Sequence, residues 1–212
     1  MWTGLARRDY VRVFLVLVLG SSSGWPDSYV AAVDVLPIQA DFSGVIVKQV
    51  NGKRFQAQVF AKGNCLRLEY KYALRTDFGY AAIEIIRFDR SESWYLLAQR
   101  KELLVVPIDP EEVLPIRTEL PGERSRAVIG DALVAGREAR LFEIQTEVRG
   151  RIERFHEWVD AETGIVLKLV SLDRDWGFEY ERIRISPQPS YYFDEPTGYR
   201  KRMGATGPRR NG

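Results

Sequence analysis

From Ala40 onward, apolar and polar residues alternate with a period of two, in short runs separated by turn residues. That pattern predicts strand after strand. The first run, Asp41 to Val50, ends at Asn51-Gly52, a dipeptide suited to a two-residue hairpin. Its partner, Lys53 to Ala61, sets Phe55, Ala57 and Val59 on one face and Arg54, Gln56 and Gln58 on the other. Lys62-Gly63-Asn64 turns the chain, and Leu66, Leu68, Tyr70 and Tyr72 then alternate with Arg67, Glu69 and Lys71. This is a meander with one apolar and one polar face.

The next runs are Ala81 to Asp89, Ser93 to Gln99 and Glu102 to Ile108, the first two separated by Arg90-Ser91-Glu92. In the second, Trp94, Leu96 and Ala98 alternate with Tyr95 and Leu97, so the strand is expected to be covered on both faces. The cover is expected from residues 25–38 and 109–127, where the alternation stops. Asp109-Pro110-Glu111-Glu112 is a helix start, with a capping Asp, a first-position Pro and acids in the first turn. Pro115 limits it to a turn or two, and Pro121-Gly122 is a further break. The lid is short.

Strands resume with Ala127 to Leu133, Leu141 to Val148, Glu153 to Val159 and Ile165 to Ser171. Trp176, Phe178 and Tyr180 then share one face, whereas Ile183 and Ile185 fall on the opposite parity. That slip predicts a bulge near Glu181-Arg182, or a strand end. The fold class is all-β.

The N-terminus has a different character. Arg7, Arg8 and Arg12 precede the unbroken apolar run Val13 to Leu19 and the small residues Ser21-Ser22-Ser23-Gly24. Residues 1–32 are therefore expected to be an export signal, cleaved within 23–32. Seven apolar residues fall well short of the roughly 20 that span a bilayer, and no later segment spans one. Arg7-Arg8-Asp9-Tyr10-Val11-Arg12 resembles a twin-arginine motif, but the strongly apolar run suits the general secretory route. The expected location is the periplasm. Residues 33–202 then form one domain, and 203–212, bearing Gly, Pro and Arg, a flexible basic tail.

Composition mostly removes options. The 31 Lys+Arg against 29 Asp+Glu give +2, with no nucleic-acid footprint. Cysteine and histidine occur once each, at Cys65 and His156, too few for a zinc centre or an intramolecular disulfide. In a strand, His156 and Glu157 point to opposite faces and cannot pair. Asp173-Arg174-Asp175 reads as a polar turn, as do the surroundings of Asp89 and Glu92. No GxSxG, P-loop, GxGxxG or HExxH occurs. No enzyme activity, metal or cofactor is expected.

The C-terminal half carries a resemblance. Ile129-Gly130-Asp131 through Gly136-Arg137, Phe142-Glu143-Ile144, and Glu157-Trp158-Val159-Asp160 with Thr163-Gly164 resemble the phrasing of the LolA-like superfamily. Tyr180-Glu181-Arg182-Ile183-Arg184, followed by Phe193-Asp194-Glu195-Pro196-Thr197-Gly198-Tyr199, is similar to that superfamily's ending. The superfamily includes the lipoprotein carrier LolA, its acceptor LolB, LppX-type lipid binders and the sensor RseB. The resemblance implies a curved antiparallel sheet, an incomplete barrel, whose concave face is closed by a helical or loop lid. This chain has much less helix than LolA, so it resembles the superfamily rather than LolA itself.

Such a fold implies that the concave face can hold an acyl chain, a lipid or a lipoprotein. Alternation nominates Phe55, Leu66, Leu68, Tyr70, Trp94, Leu96, Trp176, Phe178 and Tyr180 for that face, with Arg67, Lys71 and Arg87 as rim charges. The rival reading is an RseB-like interaction domain that engages an envelope protein through a sheet edge or an apolar patch.

Overall fold

The structure, a computed structural model, describes residues 40–108 and 119–204. The expected signal with its cleavage zone, the 25–38 cover, the Asp109 helix start and the tail beyond residue 204 lie outside those residues. Twelve strands run in chain order: β1 (Phe42–Val50), β2 (Lys53–Lys62), β3 (Cys65–Thr76), β4 (Gly79–Arg87), β5 (Glu92–Leu97) and β6 (Glu102–Pro107). The second half adds β7 (Glu123–Val134), β8 (Arg137–Val148), β9 (Arg151–Asp160), β10 (Val166–Ser171), β11 (Trp176–Ile185) and β12 (Arg200–Met203). All belong to one curved, unclosed sheet in the order β12-β6-β5-β4-β3-β2-β1-β11-β10-β9-β8-β7. The all-β half-barrel class expected from the alternation is the class observed.

Each half is a meander of consecutive hairpins, and β1 pairing with β11 joins the two. At the first hairpin Asn51 and Gly52 have φ of 48° and 73°, the paired positive values of a tight turn whose twist matches its strands. The hairpin is tied across the sheet. Asp175 accepts hydrogen bonds from Gln49 Nε2 at 2.6 Å and from the Gly52 amide. Asp173 likewise accepts from the Arg154 amide and guanidinium, so the Asp173-Arg174-Asp175 turn is a structural fastening.

The parity slip in β11 has a local cause. Tyr180 pairs with Ile46 and Arg182 with Val45, which leaves Glu181 as the extra residue of a bulge. Past the bulge, Ile183 lies opposite Gly44 and Ile185 opposite Phe42, which returns both to the face of Tyr180. The crossing is tight at Gly44. A Cβ there would sit 2.6 Å from the Arg182 carbonyl oxygen and 3.2 Å from the Tyr180 ring. Gly44→Ala is therefore expected to lose roughly 2 kcal/mol of stability, measured by urea unfolding, because a backbone carbonyl cannot yield as a side chain does.

The expected lid at 109–127 needs correction at its C-terminal end. Glu123 to Ala127 belong to strand β7, and Leu120 alone of the described lid residues is buried in the core. The double cover of β5 arises differently on its reverse side. There Phe193, from a short 3-10 turn (Ser190–Phe193), packs with Ile85, Trp94, Leu96, Leu103 and Val105, backed by Tyr192 and Tyr199. β12 follows and pairs with β6 in parallel, where alternation alone gave no signal, and it takes in Met203, the first residue of the expected tail.

Candidate functional site

The register assigns every side chain to one of two faces. Across the middle of the sheet, Phe142, Glu157, Leu169, Phe178, Lys48 and Phe55 lie side by side on β8, β9, β10, β11, β1 and β2. A parallel row carries Tyr180, Ile46, Ala57 and Tyr70. Five aromatics on this face touch edge to face in sequence, Phe42 to Tyr180 to Phe178 to Trp176 to Phe155, with centroids 5.7 to 6.3 Å apart. One buried cluster joins these rings to Val59, Leu66, Leu68, Ile144 and Leu169. This is the long apolar face.

Seven of the nine nominated residues share it: Phe55, Leu66, Leu68, Tyr70, Trp176, Phe178 and Tyr180. Trp94 and Leu96 do not. Ile85 pairs with Trp94 and Ile86 with Ser93, so Tyr95 and Leu97 join the apolar face while Trp94 and Leu96 project from the reverse. The parity is reset one hairpin earlier: the β3–β4 register shifts between Leu74↔Ala81 and Glu69↔Ile83, which carries Ile83 and Ile85, and with them Leu96 and Trp94, to the reverse face. Among the seven, Leu66, Leu68, Phe178 and Tyr180 are buried and form the floor, whereas Phe55, Tyr70 and Trp176 keep some exposure.

Two of the three nominated rim charges are elsewhere too. On the reverse face Arg67 pairs with Glu69 and Arg87 with Asp89, and they donate to the backbone carbonyls of Tyr192 and Phe193 at 3.0 and 3.2 Å. They fasten the closing segment. Lys71 lies over the exposed ring of Tyr72. Half-buried Cys65 is on that side, and burial pushes its thiol up. His156 pairs in register with Glu143 and Val170, on the opposite face from Glu157. Among the described residues no three His, Cys, Asp or Glu side chains cluster to hold a metal.

Three buried acids sit on the apolar face, and alternation singled out none of them for it. One, Glu153, accepts from the Ser171 hydroxyl and the Arg174 guanidinium at 2.7 and 2.6 Å. Glu84, 1% exposed, accepts hydrogen bonds from Tyr70 at 2.5 Å and Tyr95 at 2.7 Å, one on each carboxylate oxygen. Glu157, fully buried, pairs through Oε2 with Arg126, and its Oε1 has no hydrogen-bond partner among the described residues. Burial is the leading influence on Glu157 and, with Arg126 pulling the other way, its carboxyl is pushed up to about 7. The Arg126 guanidinium lies 5.1 Å from the centre of the Phe142 ring and makes two further bonds to Glu123, at 2.8 and 2.9 Å.

No family model matches the sequence, and no curated protein matches it. Among solved structures, the chain is similar to MucB, with a TM-score of 0.53 and 16% identity over 76% of this chain and 58% of that one. MucB in complex with periplasmic MucA gives 0.48 and 18%, over 76% and 56%. A putative outer membrane lipoprotein-sorting protein domain from Vibrio parahaemolyticus gives 0.37 and 10%, over 73% and 89%. The chain thus spans less than two thirds of MucB. It has the LolA-like fold.

Proposed function

We propose that this chain is an exported, periplasmic binding protein that holds an acyl chain, or the lipidated segment of a protein, against the long apolar face. The observation that carries this reading is the contiguous run of five aromatics on an unclosed sheet. Burying ten methylenes at about 0.8 kcal/mol each supplies roughly 8 kcal/mol, which corresponds to micromolar affinity without polar contacts. The leader-like N-terminus and the LolA-like fold favour the same reading.

A second reading rests on β7. This twelve-residue strand ends the sheet and exposes Val128, Ile129 and Leu133 at 58%, 48% and 74%. An uncovered edge with apolar side chains is a template for strand addition by a protein partner.

Native mass spectrometry separates the two. The full chain, expressed with its leader in a Gram-negative host and purified from the periplasm without detergent, is expected to carry extra mass of lipid size. Phe55→Glu is expected to reduce the loaded fraction at least tenfold, because Phe55 closes the mid-sheet row yet is 37% exposed, so a charge is tolerated there. Leu68→Glu suits this purpose less well: Leu68 is 6% exposed and directly opposite Glu84, so that charge would break the core. A chain that carries no adduct, before or after mixing with lipid, overturns the carrier reading in favour of the β7 edge.

A further inference from the structure

We infer that Glu157 is the polar anchor of the apolar face, and that it selects ligands whose headgroup donates hydrogen bonds, an amine or amide attached to an alkyl chain, over those ending in a carboxylate. The inference rests on the carrier reading and adds a headgroup class to it. Its starting point is a contrast among the buried acids of that face, of which Glu153 is held by Ser171 and Arg174. Glu84 has a tyrosine hydroxyl on each oxygen, and its carboxylate is closed by the protein itself. Glu157 is equally buried, yet only Oε2 is engaged, by Arg126, while Oε1 accepts nothing among the described residues.

Leaving a buried acceptor unmet costs on the order of 1–3 kcal/mol, so native interiors rarely do it without a reason. The near part of the row supplies no internal remedy, since its one ammonium, Lys48, lies beyond Leu169 and Phe178 and over the Trp176 ring. In register, Glu157 lies between Phe142 and Leu169, and Phe178 follows Leu169, so its cross-strand neighbours carry no donor. An alkyl chain lying along this row brings its own headgroup to the vacant oxygen.

Charge decides which headgroup fits. Glu123 and Glu157 flank the single guanidinium of Arg126, so the triad carries one net negative charge when both acids are ionised. A carboxylate headgroup meets repulsion there, and an ammonium or amide N–H meets an acceptor. Arg126 also provides a way in. Its side chain is 23% exposed, and its two bonds to Glu123 hold it if its contact with Glu157 loosens, so the carboxylate can be uncovered without stranding a charge. The raised pKa of Glu157 is consistent with an acid that gains from a cationic neighbour.

The test compares twelve-carbon probes that differ only in headgroup: dodecylamine, dodecanamide and dodecanoate, titrated calorimetrically at pH 8 below their aggregation concentrations. Dodecylamine and dodecanamide are expected to bind the wild type at least tenfold tighter than dodecanoate. Glu157→Gln is expected to bring amine and carboxylate within about threefold of each other while still binding both. Should that variant fail to fold, the wild type titrated from pH 8 to 5.5 replaces it. The amine stays charged throughout, so its advantage must fall as Glu157 takes up a proton. Binding without headgroup preference, or a preference that survives Glu157→Gln, overturns the inference and leaves the carrier reading standing. If no probe binds, both fall together.

Discussion

Trp94→Ala is expected to cost about 3–5 kcal/mol of folding stability while leaving ligand uptake unchanged in whatever fraction stays folded. The indole is 1% exposed and centres the reverse-face cluster of Ile85, Leu96, Leu103, Val105 and Phe193. Its Nε1–H donates to Glu92 at 2.8 Å. Arg87, Arg90 and Lys201 lie 5.2, 5.4 and 5.8 Å from its ring centre, cations drawn from β4, the following turn and β12. The ring therefore joins the meander to the closing segment. Removing it leaves a large void and loosens residues 190–204, to be read as a lower urea midpoint and faster proteolysis within that segment. Because the indole projects away from the apolar face, lipid adducts should persist at temperatures where the variant is folded. Loss of adduct at unchanged stability would mean that Trp94 contacts ligand and that the assignment of faces is wrong.

The second large effect is a pH dependence carried by Glu157. Its carboxyl is raised from an ordinary 4.5 to about 7 in the folded protein, first by burial and against the pull of Arg126. A raised acid pKa means that the folded state binds the proton more tightly than the unfolded chain. Between pH 7 and 4.5 the native state therefore holds more protons, and stability rises as pH falls through that window. The separation between those two values corresponds to roughly 3 kcal/mol. The carboxylates of Asp89, Glu123 and Asp160 are held below their ordinary values by Arg87, Arg126 and Arg137, and their opposite effect sets in at lower pH. Glu157→Gln isolates the group. Relative to the variant, the wild type should gain about 3 kcal/mol between pH 8.5 and 4.5, measured by urea unfolding at each pH. A difference that stays flat across the range would place an ordinary acid at this position.

The two predictions depend on different parts of what was legible in the chain. The covered faces of β5 are visible in Ser93-Trp94-Tyr95-Leu96-Leu97, and burial on both sides is what the fold requires. Which side Trp94 takes is not visible there. Alternation alone nominates the ring for the ligand face, and the register shift between β3 and β4, past Glu69, decides otherwise. Glu157 fails differently. Its place opposite His156 follows from parity, but a carboxylate on a buried face reads as solvated until its neighbours are known. Those neighbours, Arg126 on β7 and Leu169 on β10, come from other strands.

By itself the sequence determined the fold class, most of the strands, the Asn51-Gly52 hairpin, the break in alternation near Glu181 and the faces within single strands, such as Trp176, Phe178 and Tyr180 together. All of these are local. A period of two survives along one strand and across one short turn, and β-turn residues announce themselves by the φ they tolerate. Tertiary structure alone decided the pairing of Phe42 with Ile185, the parallel seating of Arg200–Met203 on β6, and the side taken by Trp94. It also decided the meeting of Arg126 with Glu157. Each joins residues through strands that are not sequence neighbours, or crosses a register shift that resets which way a side chain points. Parity carries no information past an interruption of the ladder, so only the assembled sheet makes a single face out of twelve separate alternations.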